Sequence, residues 1–187
     1  MLTLPELGEL INKRHTFDLL RVQTLDRYDV PSDGEDYRRY LAGEAEPTPS
    51  RKGPWLEHLR TLVESGRAWR NVHVLRTPLS DYLRYACEWG YAYNVLAGQD
   101  VRIVELPADD LFRELAGVGD FWVIDGVTVV QMHYDDGGRF VGAKVVSDDE
   151  GAGALRAVAG LLWRQAEPFT SWWAGHPQFH RGGDRAA

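Results

Sequence analysis

Three successive segments in the middle of the chain most constrain its fold, because their apolar patterns alternate between strand-like and helix-like. Asn71–Arg76 places Val72 and Val74 on one face, which is typical of a strand. Thr77-Pro78 is predicted to begin a helix, and the apolar side chains that follow repeat at helical spacing through Ala97. Asp100–Leu106 is again rich in β-branched residues. The order strand, helix, strand predicts a βαβ unit with two parallel strands.

Three further strand patterns lie downstream, at Asp120–Asp125, Val127–Tyr134 and Phe140–Ser147. Asp125-Gly126 is a tight hairpin signal, and residues 135–138 form a second turn signal. These strands are therefore expected to form an antiparallel meander. The predicted fold class is α/β (α+β): a mixed sheet of a βαβ unit followed by an antiparallel meander, with helices packed on the sheet.

Helical segments complete the predicted domain. One helix is expected to begin with Pro54 in its first turn and to end at Gly66. Pro107–Gly117 also has a helical pattern. We expect residues 1–174 to form a single domain and residues 175–187, which are polar and glycine-rich, to form a mobile tail.

Composition and charge argue against several classes of function. The net charge of −7 disfavours a general affinity for nucleic acid. Residues 51–84 are nevertheless rich in arginine, so direct DNA or RNA binding through them stays as a third hypothesis. Cys87 is the only cysteine, which fits a reducing compartment. Because no stretch reaches the roughly 20 apolar residues of a membrane span, we expect a cytoplasmic protein without membrane contact.

Common catalytic motifs are missing from the sequence. It has neither a complete glycine-rich phosphate loop nor a Gly-x-Ser-x-Gly elbow, and its six histidines are scattered. We therefore expect no metal and no cofactor. His133, late in a predicted strand, and Asp120, before the apolar run Phe121–Ile124, are the candidates for proton transfer. A purely structural role for both residues stays open.

Arginines around the predicted βαβ unit suggest an anion site. Arg70, Arg84 and Arg102 could form a clamp, because guanidinium groups bind phosphate in a bidentate way. Arg70 and Arg102 lie at the same end of neighbouring parallel strands, so we expect them close together near the Tyr82–Tyr93 helix. An acid paired with each arginine would make the site structural.

The aromatic content is unusually high, with seven tryptophans in the chain and several tyrosines on one predicted helix. Thick core packing and a ligand-lining groove are both compatible with this content. Tyr82 and Asn94 on that helix are candidate ligand-binding residues. Trp122 lies within an apolar run that is unsuited to an exposed strand, so we expect it to be buried.

Dispersed residues over most of the chain give it a resemblance to a known family. They include Leu20–Gln23, Tyr28–Glu44, Gly66-Arg67, Arg70, Pro78, Asp81-Tyr82, Arg84, Asn94, Ala97–Arg102 and Asp120–Asp125. In this pattern the chain resembles an uncharacterised actinobacterial family with a domain of unknown function, whose genes often lie beside Xre-type helix-turn-helix regulators. Gln99 replaces the usual Glu of that pattern. The order of elements is also similar to half of a phospholipase D-like fold, but its His-x-Lys motif is missing at Gln131–Tyr134.

Two main hypotheses follow for function. The first is a non-catalytic regulatory or binding module that acts with a partner protein, such as a helix-turn-helix regulator, or binds a small anionic ligand. The second is an enzyme on a degenerate phospholipase D-like scaffold, acting on a phosphoester or another anionic substrate. Because shared topology does not carry function, the choice depends on the site.

Overall fold

A computed structural model describes residues 1–31, 33–106 and 118–181 of the chain. In this part of the chain, seven strands form one mixed sheet with the order β6-β5-β4-β1-β2-β3-β7. The strands are β1 Asp18–Gln23, β2 Ala68–Arg76, β3 Asp100–Leu106, β4 Phe121–Ile124, β5 Thr128–Tyr134, β6 Phe140–Val145 and β7 Glu167–Pro168. The predicted α/β fold class is confirmed.

Helices occupy both faces of this sheet. They are α1 Leu4–Arg14, α2 Gly34–Leu41, α3 Pro49–Glu64, α4 Asp81–Tyr85, a π-helical segment Ala86–Tyr91, α5 Ala92–Leu96, α6 Asp149–Gln165, α7 Phe169–Gly175 and a 3₁₀ turn Pro177–Phe179. None of the helices in the described ranges is long and apolar enough to cross a membrane.

Strand pairing agrees with both predicted supersecondary units. β2 and β3 pair in parallel and are joined through α4, the π-helical segment and α5, so the βαβ unit is confirmed. β4, β5 and β6 pair antiparallel, so the meander is confirmed as well. β1 joins the two units, because it pairs in parallel with β2 and antiparallel with β4.

The two faces of the sheet are covered differently. On one face, Val72, Val74 and Phe121 pack against apolar residues of α6. Side chains alternate between faces along a strand, so their neighbours on the opposite face meet α1, α3 and the α4–α5 segment. We call these the α6 face and the α4 face. The functional candidates divide between them.

Two helix starts differ from those predicted. Helix α3 begins at Pro49 and not at Pro54, which lies inside the helix. Pro49 occupies the first-turn position that suits proline, and Ser50 is exposed, so water can satisfy the carbonyl that Pro54 leaves without a donor. Helix α4 begins after Ser80, whose hydroxyl accepts a hydrogen bond from the Leu83 amide at 3.1 Å. The helix predicted at 107–117 lies outside the described residues.

The first residues of the predicted tail contact the domain. Phe179 is buried in a cluster with Trp172, and the His180 ring stacks on Trp173 with a centroid distance of 4.3 Å. The Arg181 guanidinium lies 3.9 Å from the Tyr40 ring centroid. The domain boundary at 174 and the mobility of the tail stay predictions.

The hairpin turn before β5 also anchors the start of β1. Asp125 has a positive φ of 51°, as the predicted Asp-Gly turn requires. Its carboxylate accepts hydrogen bonds from the Thr16 amide and hydroxyl and from the amides of Phe17 and Asp18. Burial alone would raise the pKa of Asp125, but these hydrogen bonds lower it well below its usual range.

Asp125→Asn is expected to destabilise the protein at neutral pH, because an amide accepts fewer hydrogen bonds than a carboxylate. The folded-state pKa lies below the unfolded value of about 3.9, so this stabilisation is present above about pH 4 and is lost as the pH falls further. Urea unfolding of both proteins should give a difference that shrinks from about pH 7 to about pH 3. A difference that is independent of pH would contradict the assignment.

Candidate functional site

A large cavity opens on the α4 face above the central strands. Its volume is about 930 Å³, within the range of about 300–1,000 Å³ typical of small-molecule sites. Its aromatic lining residues are Tyr28, Trp55, Trp69, Tyr82, Tyr85, Trp89, Tyr91, Trp122, Tyr134 and Phe140. The sheet provides the floor, and α1, α3 and the α4–π segment contribute to the walls. We call this space the aromatic cavity.

Three side chains with N–H donors stand side by side on the cavity floor. Arg21 of β1 is the Cα partner of Asn71 on β2 and of Trp122 on β4. Paired residues on neighbouring strands lie about 5 Å apart and project from the same face. The sheet therefore brings together three residues that are distant in sequence. We call them the donor row.

Each member of the donor row has a buried nitrogen without a hydrogen-bond partner. These atoms are Arg21 Nε, Asn71 Nδ2 and Trp122 Nε1. Asn71 also influences the pKa of Tyr91, which places its amide near that hydroxyl, but no hydrogen bond from Nδ2 has acceptable geometry. A buried N–H without a partner costs about 1–3 kcal/mol. Unpaired donors beside a cavity indicate that an acceptor belongs there.

The guanidinium of Arg21 is held from several sides. It lies 5.2 Å from the Trp122 ring centroid and 5.6 Å from that of Tyr28. Its Nη2 donates to the Tyr134 hydroxyl at 3.4 Å and lies 3.9 Å from Asp120 Oδ2. Burial alone would lower the pKa of Arg21, but the tyrosine oxygens and Asp120 raise it overall, so the group stays cationic.

Asp120 supports Arg21 from beneath the cavity. Its carboxylate accepts from the Thr24 amide at 2.8 Å, the Thr24 hydroxyl at 3.0 Å and the Tyr28 hydroxyl at 2.7 Å. The side chain is fully buried. Because solvent and substrate cannot reach it, the geometry favours the structural role for Asp120 over proton transfer.

A second network fixes Tyr91 at the cavity wall. The Tyr91 hydroxyl donates to His73 Nδ1 at 2.6 Å, and its oxygen lies 3.2 Å from the side-chain amide of Gln23. The other ring nitrogen of His73 lies 3.0 Å from the Leu25 carbonyl. Burial lowers the pKa of His73 despite the opposing effect of Asp120. The imidazole is therefore neutral, and it positions Tyr91.

Acidic and basic groups line another part of the cavity. Tyr82 donates to Asp33 at 3.2 Å, and burial raises the pKa of Asp33. Burial lowers the pKa of Lys52, against the attraction of Asp33 and Asp36. Three basic side chains and three acidic ones line the aromatic cavity: Arg21, Arg51 and Lys52, with Asp29, Asp33 and Asp36.

Two of the sequence-predicted ligand residues, Tyr82 and Asn94, line the aromatic cavity. Asn94 accepts from the Trp55 indole at 3.1 Å and donates to Gln99 at 2.9 Å. Gln99 therefore has a neutral hydrogen-bonding role here. Neither Tyr82 nor Asn94 belongs to the donor row, and their polar contacts are made within the protein.

The predicted arginine clamp lies elsewhere. Arg70 and Arg102 do come together, at 4.7 and 4.2 Å from the ring centroid of Trp163, but this contact is on the α6 face. The predicted position near the Tyr82–Tyr93 helix is wrong, because Arg70 shares the parity of Val72, which faces α6.

Both of these arginines have acidic partners. Arg70 Nε donates to Asp18 at 2.6 Å, and Arg102 Nη2 lies 3.3 Å from Asp100. An ion pair to each guanidinium favours the structural interpretation. Arg84 lies on α4, on the other side of the sheet from Arg70 and Arg102, so the three residues do not form one site.

The remaining candidates are also separated from the aromatic cavity. His133 shares the parity of Val129, which faces α6, and it lines a second pocket of about 610 Å³ that Asp120 also borders. Cys87 is buried, and burial raises the pKa of its thiol, which makes it a poor nucleophile. Within the described residues, no group of three His, Cys, Asp or Glu side chains could hold a metal ion.

Sequence reasoning missed Arg21 and Asn71, the first two members of the donor row. A signal existed for Arg21, since a single arginine interrupts the apolar run of β1. Trp122 was predicted to be buried, and its exposure of 7 % confirms this. Its role beside a cavity was left open.

The chain is therefore an α/β domain with a partly open cavity, lined by many aromatic residues, on one face of its sheet. The model of the domain of unknown function DUF6879 matches residues 5–174, and the chain belongs to this family. No curated protein matches the chain.

Proposed function

We propose that the protein is a non-catalytic regulatory module that binds a small ligand in the aromatic cavity. The observation that carries this proposal is the donor row: three residues that line one side of an aromatic cavity of about 930 Å³ each carry a buried nitrogen without a partner. A preformed apolar cavity with a few convergent polar groups is the usual form of a small-molecule site. Acceptor atoms of a bound ligand would form hydrogen bonds with the N–H groups of the donor row, which have no partner within the protein.

The geometry supports binding better than catalysis. Asp120 and His133 both border a second, smaller pocket of about 610 Å³, but the Asp120 side chain is fully buried and already accepts three hydrogen bonds, so it is poorly placed to exchange a proton with a substrate. The candidate clamp residues Arg70 and Arg102 are ion-paired to acids. These ion pairs and the burial of Asp120 favour binding over a phosphodiesterase on a phospholipase D-like scaffold.

A cavity-blocking variant tests the proposal. Gly90 lines the aromatic cavity, and a Cβ built there would meet no atom within 4 Å. Gly90→Leu should therefore fold but obstruct the site. Screening small organic compounds by thermal unfolding should find ligands that raise the Tm of the wild-type protein by about 5–10 °C at about 100 times their Kd. Gly90→Leu should abolish these shifts.

Gly53→Leu provides the matched control. Gly53 is also helical, with no atom within 4 Å of its added Cβ, but it does not line the cavity. Both substitutions replace glycine by a better helix former, so their effects on helix propensity are similar. Gly53→Leu should keep every ligand-induced shift. Shifts that persist in Gly90→Leu would place the ligand elsewhere, and turnover of a phosphoester would favour the enzyme hypothesis.

We further propose a cytoplasmic location and a partner protein that responds to the bound state, such as a helix-turn-helix regulator. This part rests on the resemblance to a family encoded beside such regulators. Isothermal titration of the full chain with the regulator encoded beside its gene should give measurable heat that depends on ligand. An absence of heat with and without ligand would contradict the partnership and leave ligand binding in place.

A further inference from the structure

We infer that the ligand is a planar aromatic molecule with a single negative charge, and that its carboxylate or equivalent oxyanion is bound by the donor row. This inference rests on the proposed function and specifies the chemistry of the same site. It combines three observations: the unpaired donors, the balance of charge and the aromatic walls.

The donor row requires an acceptor with more than one lone pair. Arg21, Asn71 and Trp122 stand side by side on three neighbouring strands, and each has an unpartnered nitrogen. A carboxylate has two oxygens and about four acceptor positions. It can therefore accept from neighbouring donors at once, and its hydrogen bond to the guanidinium is charge-assisted.

The surrounding charge favours one negative charge over two. Asp120 already lies 3.9 Å from Arg21 and offsets much of its charge. Three acids, Asp29, Asp33 and Asp36, face three bases around the cavity. Asp120 and the three lining acids repel every added negative charge, so a dianion such as a phosphate monoester would be repelled more strongly than a monoanion. A monoanion meets one cationic guanidinium and two neutral donors.

The aromatic walls of the cavity determine which kind of ring system the ligand carries. Rings of Trp55, Trp69 and Trp122 form a chain of edge-to-face contacts with centroid distances of 5.2 and 5.9 Å. Tyr82, Tyr85 and Trp89 continue the aromatic surface along the α4–π wall. Such a lining favours planar π-systems, which gain stacking in addition to apolar burial.

An aromatic cavity could also hold a quaternary ammonium group by cation–π contacts. The donor row argues against that occupant. A cation would leave all three N–H groups unpaired and would lie near the positive charge of Arg21. An ammonium probe is therefore the informative negative control.

A matched series of ligands tests the inference by isothermal titration with the full chain. The series is 2-naphthoate, 2-naphthamide, 2-naphthyl phosphate, (2-naphthylmethyl)trimethylammonium and decahydro-2-naphthoate. The planar carboxylate should bind at least about tenfold tighter than the amide, the phosphate and the ammonium probe, since one charge-assisted hydrogen bond is worth about that factor or more. It should bind about 2–10-fold tighter than decahydro-2-naphthoate, which keeps the carboxylate but loses aromatic stacking.

Trp122→Phe tests the donor row directly. The Trp122 indole N–H makes no hydrogen bond within the protein, so its removal breaks none in the fold. This variant should bind 2-naphthoate about tenfold more weakly, while its affinity for 2-naphthamide changes by a smaller factor. Trp163→Phe, on the α6 face, is the control and should leave both affinities unchanged.

The outcomes separate this inference from the proposed function. Equal binding of carboxylate and amide, blocked by Gly90→Leu, would overturn the charge assignment and leave the cavity as a ligand site. Tighter binding of the ammonium or phosphate probe would overturn the inference in the same way. If no member of the series binds while other compounds do, the ligand class is wrong. If nothing binds, the proposed function fails too.

Discussion

Replacing Asp120 by Ala is expected to lower the free energy of unfolding by about 3–5 kcal/mol. The substitution removes the acceptor for the Thr24 amide, the Thr24 hydroxyl and the Tyr28 hydroxyl, all at a fully buried site. It also removes the acid beside Arg21, whose guanidinium would keep its charge without a counterion. Urea unfolding monitored by circular dichroism would measure the loss.

Two variants sharpen this test. Asp120→Asn keeps an acceptor oxygen but loses the charge, so it should fall between the wild-type protein and Asp120→Ala. Asp100→Ala removes an acid from the partly exposed ion pair with Arg102 and should cost no more than about 1 kcal/mol. A similar small cost for Asp120→Ala would show that Asp120 is not the structural support of the cavity floor.

Trp122→Ala is the second substitution with a large expected effect, again about 3–5 kcal/mol. The indole is 7 % exposed, packs edge-to-face on Trp69 at 5.9 Å and contacts Arg21 through a cation–π interaction. Truncation removes these contacts from the centre of the sheet. Thermal and urea unfolding should both detect the loss.

Trp122→Phe separates the ring from its nitrogen in the same measurement. The smaller ring should cost about 1–2 kcal/mol. Removal of an unpaired buried N–H offsets part of that cost, so the net loss should be smaller than this. Unchanged stability in Trp122→Ala would show that Trp122 is not a core residue. It would also remove the structural basis for placing the donor row.

The sheet could be predicted well from local pattern. The strand-like apolar patterns of Asn71–Arg76 and Asp100–Leu106, with a helical pattern between them, were sufficient to predict the βαβ unit. The Asp125-Gly126 turn was sufficient for the first hairpin of the meander, and its positive φ values agree with the turn signal. These features depend on residues close in sequence, so one sequence can reveal them.

The site was harder to predict because it depends on which helix covers which face. Alternation in β2 placed Val72 and Val74 together, but nothing local shows that this side meets α6. Arg70 was therefore assigned to the wrong side of the sheet. In β1, Arg21 follows the same alternation as an ordinary solvent-facing residue, and only tertiary packing places it beneath the aromatic walls.

The strand order gives the donor row a further consequence for folding. Arg21, Asn71 and Trp122 come from strands far apart in sequence, so their alignment requires both long-range pairings of β1. Such non-local contacts form slowly and are lost together when the domain unfolds cooperatively. A ligand bound across the donor row would therefore stabilise the domain against global unfolding, but it would not suppress local fraying of the chain. Its binding should slow amide hydrogen exchange most strongly in the central strands β4, β1 and β2, where exchange requires the opening of the whole sheet.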